Sequence, residues 1–307
     1  MYHKFVSSST RKKIHKILFY YTEIINPIKK NIQSKNKIKK LKKDILSFYK
    51  DSSDENIKQI CNQINKNNIV YPYDFTKEYK KMNISVYRED GFPYVIHKGV
   101  KMYGKRNMSN KAFKKYYIGL LCEQDRRSPH CYFANSNHYP VQGGAVLADI
   151  GGAEGIFSID ILEYAKFIYI FECDKGWVEA LERTFAPYHN KIQIVQKYIG
   201  DVDSDKMTTL DSFFRDKQLD FLKADIEGYE EAMLKSSNET FKKIKQVLLC
   251  CYHRANSEET FRKYLRKKGF KNIEVNERQM IWIYSESVIG IPLEAPYLRH
   301  GVLYAER

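Results

Sequence analysis

The chain has 307 residues, 43% of them hydrophobic, and a formal net charge of +15 at pH 7. This length allows one α/β core of about 200 residues and a smaller extension. The six cysteines include no CxxC pair, which favours a cytoplasmic protein with reduced thiols over a disulfide-linked one. The N-terminus lacks a continuous apolar region ending in a cleavage site, so we expect no secretion signal.

The positive charge is concentrated near the N-terminus. Residues 1–60 hold 15 Lys or Arg against 5 Asp or Glu, so this segment carries +10 of the net charge. Apolar residues recur at helical spacing between residues 14 and 28, and a lysine cluster follows at 29–43, which predicts a basic, mainly helical extension at residues 1–70. The segment is too short and too charged to span a bilayer.

This extension has two open interpretations. Residues 10–45 could make peripheral contact with an anionic membrane surface at the inner membrane face. Alternatively, the helix packs on its own domain or on a second subunit, with its lysines in solvent. The sequence leaves the oligomeric state open.

Residues 71–140 are predicted to form a cap or lid region. Two strand-like runs flank Asp90-Gly91, which predicts a hairpin. A helix is expected at 109–122, followed by a charged segment at 123–130. That segment could form a lid in which an arginine or His130 meets a ligand, or it could be a surface turn held by its own salt bridges.

The most informative stretch begins at residue 145. A buried strand is predicted at 145–150, a second strand at 167–171, and Glu172 follows about 20 residues past the intervening turn. Small residues in that turn let the backbone approach a ligand closely, and the carboxylate lies where such folds grip ribose hydroxyls. The unit should therefore bind a nucleoside. The turn consists of Gly151, Gly152, Ala153, Glu154 and Gly155.

The remaining segments alternate between strands and helices. Helical periodicity covers 175–185, 230–241 and 258–268, the last with Gly269 as its C-cap. Strand-like runs cover 192–199, 219–224, 247–251, 279–284 and 301–306. For residues 141–307 we predict a Rossmann-like, doubly wound α/β fold, with a seven-stranded, mostly parallel sheet and an antiparallel edge strand.

Several ionisable side chains lie at or just past the predicted strand ends. Open α/β sheets bind their ligands outside the carboxyl ends of the strands, so one crevice could hold them all. They are Asp149, Glu172, Asp201, Asp225, Glu227 and His253.

Two motifs carry a resemblance to a known family. The D-x-G-x-A-x-G pattern from Asp149 to Gly155 resembles motif I of class I S-adenosylmethionine-dependent methyltransferases. Together with TTLDSFF at 208–214, LDFLKADIEGYE at 219–230 and FECD at 171–174, it resembles the FkbM-type family of these enzymes. The resemblance covers about 145–276. It implies transfer of a methyl group from S-adenosyl-L-methionine to an oxygen of a sugar, a polysaccharide precursor or another small hydroxylated acceptor.

The expected donor site combines the turn with nearby acids. An acid close to the turn can bind the ammonium group of the donor. Glu172 can bind the hydroxyls of the donor's ribose. The candidate cofactor-binding residues are Asp149, Gly151, Gly152, Ala153, Glu154, Gly155, Glu172 and Asp201.

Catalysis is assigned to the second group of strand ends. A sugar hydroxyl is a poor nucleophile, so a nearby base helps, and His253 is the first candidate. Asp225 or Glu227 would orient it or act as the base instead. The plain alternative is that both acids cap a helix and His253 bonds a backbone carbonyl. A divalent metal is chemically possible at such a set, but the spacing does not demand one and none is predicted.

Two other functions remain open from the sequence. An RNA methyltransferase could use the basic extension as its electrostatic footprint. However, no Pro-Pro-aromatic motif follows Asp225, and the extension shows no paired aromatic stacking platform, so nucleic acid is not the expected partner. A scaffold that kept the fold and lost turnover is the third possibility.

Overall fold

The structure is a computed structural model that describes residues 31–67, 69–134 and 144–307, with side chains described from residue 36 onward in the first range. The predicted amphipathic pattern at 14–28 lies outside these residues. No helix within the described ranges is long and apolar enough to cross a membrane.

The described part of the extension is helical, as the sequence predicts. Helix α1 spans Asn31–Phe48, α2 spans Glu55–Gln63 and α3 spans Thr76–Lys80. Helix α2 begins after Asp54, whose carboxylate accepts hydrogen bonds from two free N–H groups of the first turn. One hydrophobic cluster contains Ile45 of α1 together with residues of the main sheet such as Leu147. The division at residues 70 and 140 stays a prediction.

A small antiparallel sheet follows the extension. Its strands are β1 (Tyr87–Glu89), β2 (Phe92–His97) and β3 (Val100–Tyr103). The predicted hairpin between the first two is confirmed, since Asp90 and Gly91 both have a positive φ, of 49° and 84°. Helix α4 (Asn110–Glu123) comes next and is capped by the preceding serine.

The rest of the chain alternates between strands and short helices. The strands are β4 (Ala145–Ile150), β5 (Ala165–Phe171), β6 (Ile192–Val195), β7 (Tyr198–Ile199), β8 (Met207–Thr208), β9 (Phe221–Ala224), β10 (Gln246–Cys250), β11 (Asn272–Val275), β12 (Gln279–Met280), β13 (Arg299–His300) and β14 (Val302–Glu306). The helices are α5 (Ile156–Asp160), α6 (Lys175–Phe185), α7 (Leu210–Phe213), α8 (Glu230–Lys235), α9 (Thr240–Lys243), α10 (Ser257–Lys267) and α11 (Ser285–Ile289).

Seven of these strands form the main sheet, in the order β11-β14-β10-β9-β4-β5-β6. The five strands from β10 to β6 are parallel to one another, and β14 is antiparallel to both of its neighbours. The predicted antiparallel strand is therefore present, but it lies one place in from the edge. The reason is that the edge is taken by β11, a half-exposed strand that the sequence pattern does not reveal.

The run predicted as a strand at 279–284 behaves differently. Only β12 is extended, and it pairs with β13 in a separate two-stranded sheet. The following residues pack inward instead: Ile281 is fully buried and its N–H donates to the carbonyl of Val70. The apolar run therefore packs against the end of the extension.

The parallel register positions the functional groups. Ile150 at the end of β4 is paired with Phe171 of β5 on one side and with Ala224 of β9 on the other. The residues that follow these three strands consequently emerge side by side. They are Gly151, Glu172 and Asp225, and they define one end of the sheet.

Candidate active site

A cleft of about 760 Å³, its open mouth included, lies at the carboxyl ends of β4, β5 and β9. Its walls are mostly apolar, with a few polar groups at defined places, as in small-molecule sites. Of the predicted site residues, Gly151, Glu172, Asp225 and Glu227 line it. The segment around Tyr198 also lines the cleft.

Gly151 allows the backbone of the turn to pass close to β9. Its φ is +76°, and a Cβ atom there would lie 2.0 Å from the carbonyl oxygen of Asp225. No side chain fits that space, so the position requires glycine. Gly152 and Gly155 are restricted in a similar way, since a Cβ would overlap Ile170 and Phe185 respectively.

Glu172 anchors the turn to β5 and faces the cleft. Its carboxylate accepts three backbone N–H bonds, from Ala153, Cys173 and Asp174, each at 2.8 Å. Burial raises the pKa of this carboxyl, although the three N–H donors favour its charged form. The side chain thus holds the turn in place while it borders the predicted ribose position.

Asp149 does not reach the cleft. The residue is fully buried, and its carboxylate accepts hydrogen bonds from the Lys223 ammonium at 2.9 Å and from Ser158 at 2.8 Å. Burial by itself lowers the pKa of Lys223, but Asp149 and Asp225 outweigh that effect and raise it above the usual value. The acid that the sequence assigns to the donor ammonium is therefore already paired with an ammonium of the protein.

Asp225 lies at the centre of a polar cluster. The hydroxyls of Tyr132 and Tyr252 each donate to its carboxylate at 3.1 Å, and His130 lies 3.5 Å away. Burial raises the pKa of Asp225, but His130 and His253 outweigh it, so the pKa lies well below the usual value. Asp225 is consequently a charged, tightly held carboxylate.

His253 is fully buried among carboxylates. Its Nδ1 lies 3.1 Å from Glu230, and its Nε2 lies 3.3 Å from Glu227 and 3.6 Å from Asp225. Burial alone would lower the pKa of His253. The surrounding acids outweigh burial and raise the pKa to about 10. His253 is not among the residues that line the cleft, and a carboxylate lies near each of its nitrogens, so its role as the general base stays a prediction. Sequence position cannot show how deeply a strand-end side chain is buried.

The other predicted site residues divide between interior and surface. Glu154 is buried behind the turn, where it accepts a hydrogen bond from Tyr116 of α4. Asp201 is exposed and is not among the residues that line the cleft. We therefore leave Asp201 out of the proposed donor site. The strand-like run at 192–199 breaks after β6, and the cleft wall is formed instead by the residues just before Asp201.

Part of the chain matches a known protein family. Residues 160–271 match the methyltransferase FkbM domain, a range that includes Glu172, Lys223, Asp225, Glu227 and His253. Over these residues the chain is similar to methyltransferases of the FkbM type. No curated protein matches the chain.

Solved structures similar to this chain include methyltransferases of several kinds. The methyltransferase FkbM of Methylobacillus flagellatus is 14% identical with a TM-score of 0.43, and the match covers 63% of this chain and 54% of that one. The precorrin-6y C5,15-methyltransferase of Geobacter metallireducens is 12% identical (TM-score 0.39, coverage 59% and 89%). An rRNA methylase of Streptococcus thermophilus is 10% identical (TM-score 0.36, coverage 55% and 89%). This chain thus spans about half the length of the Methylobacillus protein, and similarity at this level says nothing about the acceptor.

The charged segment before the FkbM domain divides into two parts. Arg127 forms ion pairs with Glu78 and Asp125, each at 2.7 Å, so this part is a surface turn held by its own salt bridges. His130 points inward instead and bridges Glu123, at 3.1 Å, to Asp225. The segment therefore contributes one buried side chain to the site.

Some residues at the centre of the site were not assigned a role from the sequence. Lys223 could have been recognised from the sequence, because a charged residue within the apolar run 219–224 needs a buried partner. No sequence pattern points to Glu230, Tyr132 or Tyr252, since only packing brings them to Asp225 or His253.

The burial of Glu154 leads to a prediction about the pH dependence of stability. Burial raises its pKa to about 7, so between about pH 4.5 and 7 the folded protein holds a proton that the unfolded chain releases. Stability contributed by this residue therefore falls as pH rises through that window. We expect Glu154→Gln to raise the free energy of unfolding at pH 8 by at most about 3 kcal/mol, and to have little effect at pH 4.

Urea denaturation at pH 4 and pH 8 measures this difference. Glu163→Gln, the same change at an exposed site, is the matched control and should have little effect at either pH. An equal effect of Glu154→Gln at both pH values would show that the carboxyl is not held protonated in the folded protein.

Proposed function

We propose that the protein is an S-adenosylmethionine-dependent O-methyltransferase acting on a sugar, a polysaccharide precursor or another small hydroxylated acceptor. The observation that supports it is a single cleft in which Gly151 and Glu172 lie beside Asp225 and Glu227. Gly151 and Glu172 suit a nucleoside-containing donor, and Asp225 and Glu227 suit the hydroxyl of an acceptor.

The cleft fits the proposed donor. The close approach at Gly151 leaves backbone rather than side chain facing the ligand, and Glu172 offers carboxylate oxygens for ribose hydroxyls. Apolar side chains such as Phe171, Ile199 and Ile226 line the remaining wall and suit an adenine ring. When bound, the donor supplies an electrophilic methyl group on a sulfonium, so the main task of the protein is alignment.

The acceptor end of the cleft is acidic. Asp225 and Glu227 line the cleft there with a small exposed fraction each, and Lys197 is the basic residue of the lining. A hydroxyl can donate a hydrogen bond to either carboxylate, which orients its oxygen toward the donor. The same charges would repel the phosphates of RNA, which favours a neutral or cationic acceptor.

Donor binding is tested by thermal unfolding with and without S-adenosylmethionine. At about 100 times its dissociation constant a ligand adds roughly 2.7 kcal/mol of stability, so we expect a clear rise in melting temperature for the wild type. Glu172→Gln should abolish the rise, because the variant loses carboxylate oxygens at the ribose position and loosens the turn. Each variant is compared with its own ligand-free sample, which separates lost binding from lost stability.

The matched control is Asp201→Asn. This residue was predicted to bind the donor, but it is exposed and lies outside the cleft lining, so the rise should be kept. A loss in Asp201→Asn with retention in Glu172→Gln would place the donor elsewhere. No rise in the wild type at millimolar ligand would overturn the proposed function and favour a scaffold.

Peripheral membrane contact through residues 10–45 stays a prediction, and much of that range lies outside the described residues. Helix α1 does expose Lys39, Lys40 and Lys43. Each lysine near an anionic surface contributes about 1 kcal/mol, so replacing all three by glutamine should weaken sedimentation with phosphatidylserine vesicles more than about tenfold. Vesicles of phosphatidylcholine are the control. Absence of wild-type sedimentation would refute membrane contact, and salt-dependent RNA binding lost in this variant would favour the RNA alternative.

A further inference from the structure

The polar cluster beside the cleft contains a histidine whose nitrogens are poorly satisfied. His253 is fully buried, yet neither Nδ1 nor Nε2 makes a hydrogen bond of acceptable geometry. The buried Oε2 of Glu227, 3.3 Å from Nε2, also lacks a hydrogen bond. Buried polar atoms of this kind indicate a missing partner, because leaving them unpaired is costly.

The two nitrogens of His253 have different surroundings. Nδ1 faces Glu230, which is itself buried and is held by a hydrogen bond from the N–H of Ile226 at 2.9 Å. Nε2 faces Asp225 and Glu227, both of which border the cleft. A carboxylate on one ring nitrogen and two further ligands on the other is the arrangement of a metal-binding histidine with its orienting acid.

The distances allow a cation at the Nε2 side. The overlapping set of Asp225, Glu230 and His253 has ligand atoms that all lie within 4.8 Å of one another, so acids lie close to the imidazole on both sides. The spacings of 3.3 and 3.6 Å from Nε2 to the carboxylates are close to those between neighbouring ligands of one ion whose bonds measure about 2.0–2.2 Å. Aromatic rings of Tyr252 and Trp282 pack against the imidazole and restrict its movement.

The charge of the surroundings also favours a cation. Five largely buried carboxylates face only three cationic groups, so negative charge is in excess even with both imidazoles protonated. The carboxylates are Glu123, Asp149, Asp225, Glu227 and Glu230, and the cationic groups are Lys223, His130 and His253. The nearby buried Arg299 donates to the backbone carbonyls of residues 252 and 253 and forms no ion pair with these acids.

We propose that Asp225, Glu227 and Nε2 of His253 bind one divalent cation at the floor of the cleft, with Glu230 orienting the histidine through Nδ1. One nitrogen and two carboxylate ligands suit an ion such as Mn²⁺, and the cleft leaves positions open for water or a ligand. The cation takes the place of a proton on Nε2. The site is built by the loop after β9 and the residues after β10.

A role for this cation in catalysis rests on the proposed function. The ion would coordinate the hydroxyl oxygen of the acceptor and lower its pKa, as metals do for bound water. The released proton leaves to water in the cleft, and no oxidant or reductant is involved. Such activation would make a separate general base unnecessary.

The test is Mn²⁺ binding to the full chain after treatment with a chelator, followed by calorimetry. We expect one Mn²⁺ per chain. His253→Gln and Glu227→Gln, which remove proposed ligands, should each weaken binding at least about tenfold, and Glu230→Gln should weaken it by about 10- to 100-fold through loss of orientation. Glu227 lies at the cleft wall, so its variant serves if the buried His253→Gln protein fails to fold.

His97→Gln is the matched control. His97 is also a buried histidine beside a carboxylate, but it bonds Asp160 and Tyr117 away from the cleft, so Mn²⁺ binding should not change. Absence of stoichiometric Mn²⁺ binding to the wild type would overturn the proposal and leave a protonated imidazole among acids. Equal binding by wild type and Glu227→Gln, or loss in His130→Gln alone, would also overturn it.

Donor binding is measured on the same chelator-treated wild type. A rise in melting temperature with S-adenosylmethionine but no Mn²⁺ binding would refute the cation and leave the proposed function intact. Mn²⁺ binding without any donor effect would refute the proposed function and leave the cation site.

Discussion

Gly151→Ala is expected to destabilise the protein by roughly 3–5 kcal/mol, since left-handed backbone strain adds to an overlap in a packed interior. The new Cβ would lie 2.0 Å from the carbonyl oxygen of Asp225, and neither backbone can move without breaking the pairing of β4 with β9. This is a large part of the stability of an ordinary domain, about 5–15 kcal/mol. Urea denaturation followed by circular dichroism measures the change.

Gly119→Ala is the matched control for this substitution. Gly119 lies inside α4, and a Cβ there meets nothing within 4 Å. Because alanine loses less backbone freedom than glycine on folding, this change should stabilise the helix by about 0.5–1 kcal/mol. If both variants had the same small effect, the close approach of the turn to β9 would be wrong.

Lys223→Met should cost a comparable amount, roughly 3–5 kcal/mol, because it leaves the Asp149 carboxylate buried without its counter-charge. The two side chains are almost fully buried, with 2.9 Å between the ammonium and the carboxylate oxygen. The ammonium also donates to the carbonyl of Gly151, so its loss should loosen the turn as well. The free energy of unfolding in urea is again the measurement.

A second substitution distinguishes a lost charge pair from a lost side chain. Adding Asp149→Asn to Lys223→Met removes the unpaired charge and should recover part of the stability, which a double-mutant cycle quantifies. Lys235→Met is the surface control, since its ion pair with Glu231 at 2.8 Å is exposed and should contribute less than about 1 kcal/mol. A double variant no more stable than Lys223→Met alone would show that packing, not charge, dominates at this position.

Much of the fold could be predicted from local pattern. Helix α6 has the predicted bounds because Asp174 caps it and its apolar residues follow helical spacing. Strand β4 also has the predicted bounds, since a continuous apolar run before a glycine turn has few alternatives. The edge strand β11 was missed because its burial alternates weakly over only four residues. The C-terminal strand was recognised, but its place between two others depends on the path of the whole chain.

The candidate site, like the fold, could be predicted only in part from the sequence. Glu172, Asp225 and Glu227 were found because residues that follow parallel strands must meet at one end of the sheet. Their partners could not be found, since His130 and Tyr132 reach Asp225 from a segment far away in sequence. The surroundings of the predicted base were hidden for a related reason: the pattern placed His253 after a strand but could not show that acids surround it.

Local sequence pattern predicts most of the strands and helices, the glycine turn and the acids at the strand ends. These depend on backbone conformation and on periodicities of two or 3.6 residues, which neighbouring residues set. The pairing of Asp149 with Lys223, the burial of His253 and the exposure of Asp201 became visible only in the folded structure. Burial and charge depend on which distant segments pack around a side chain, and no local pattern records that.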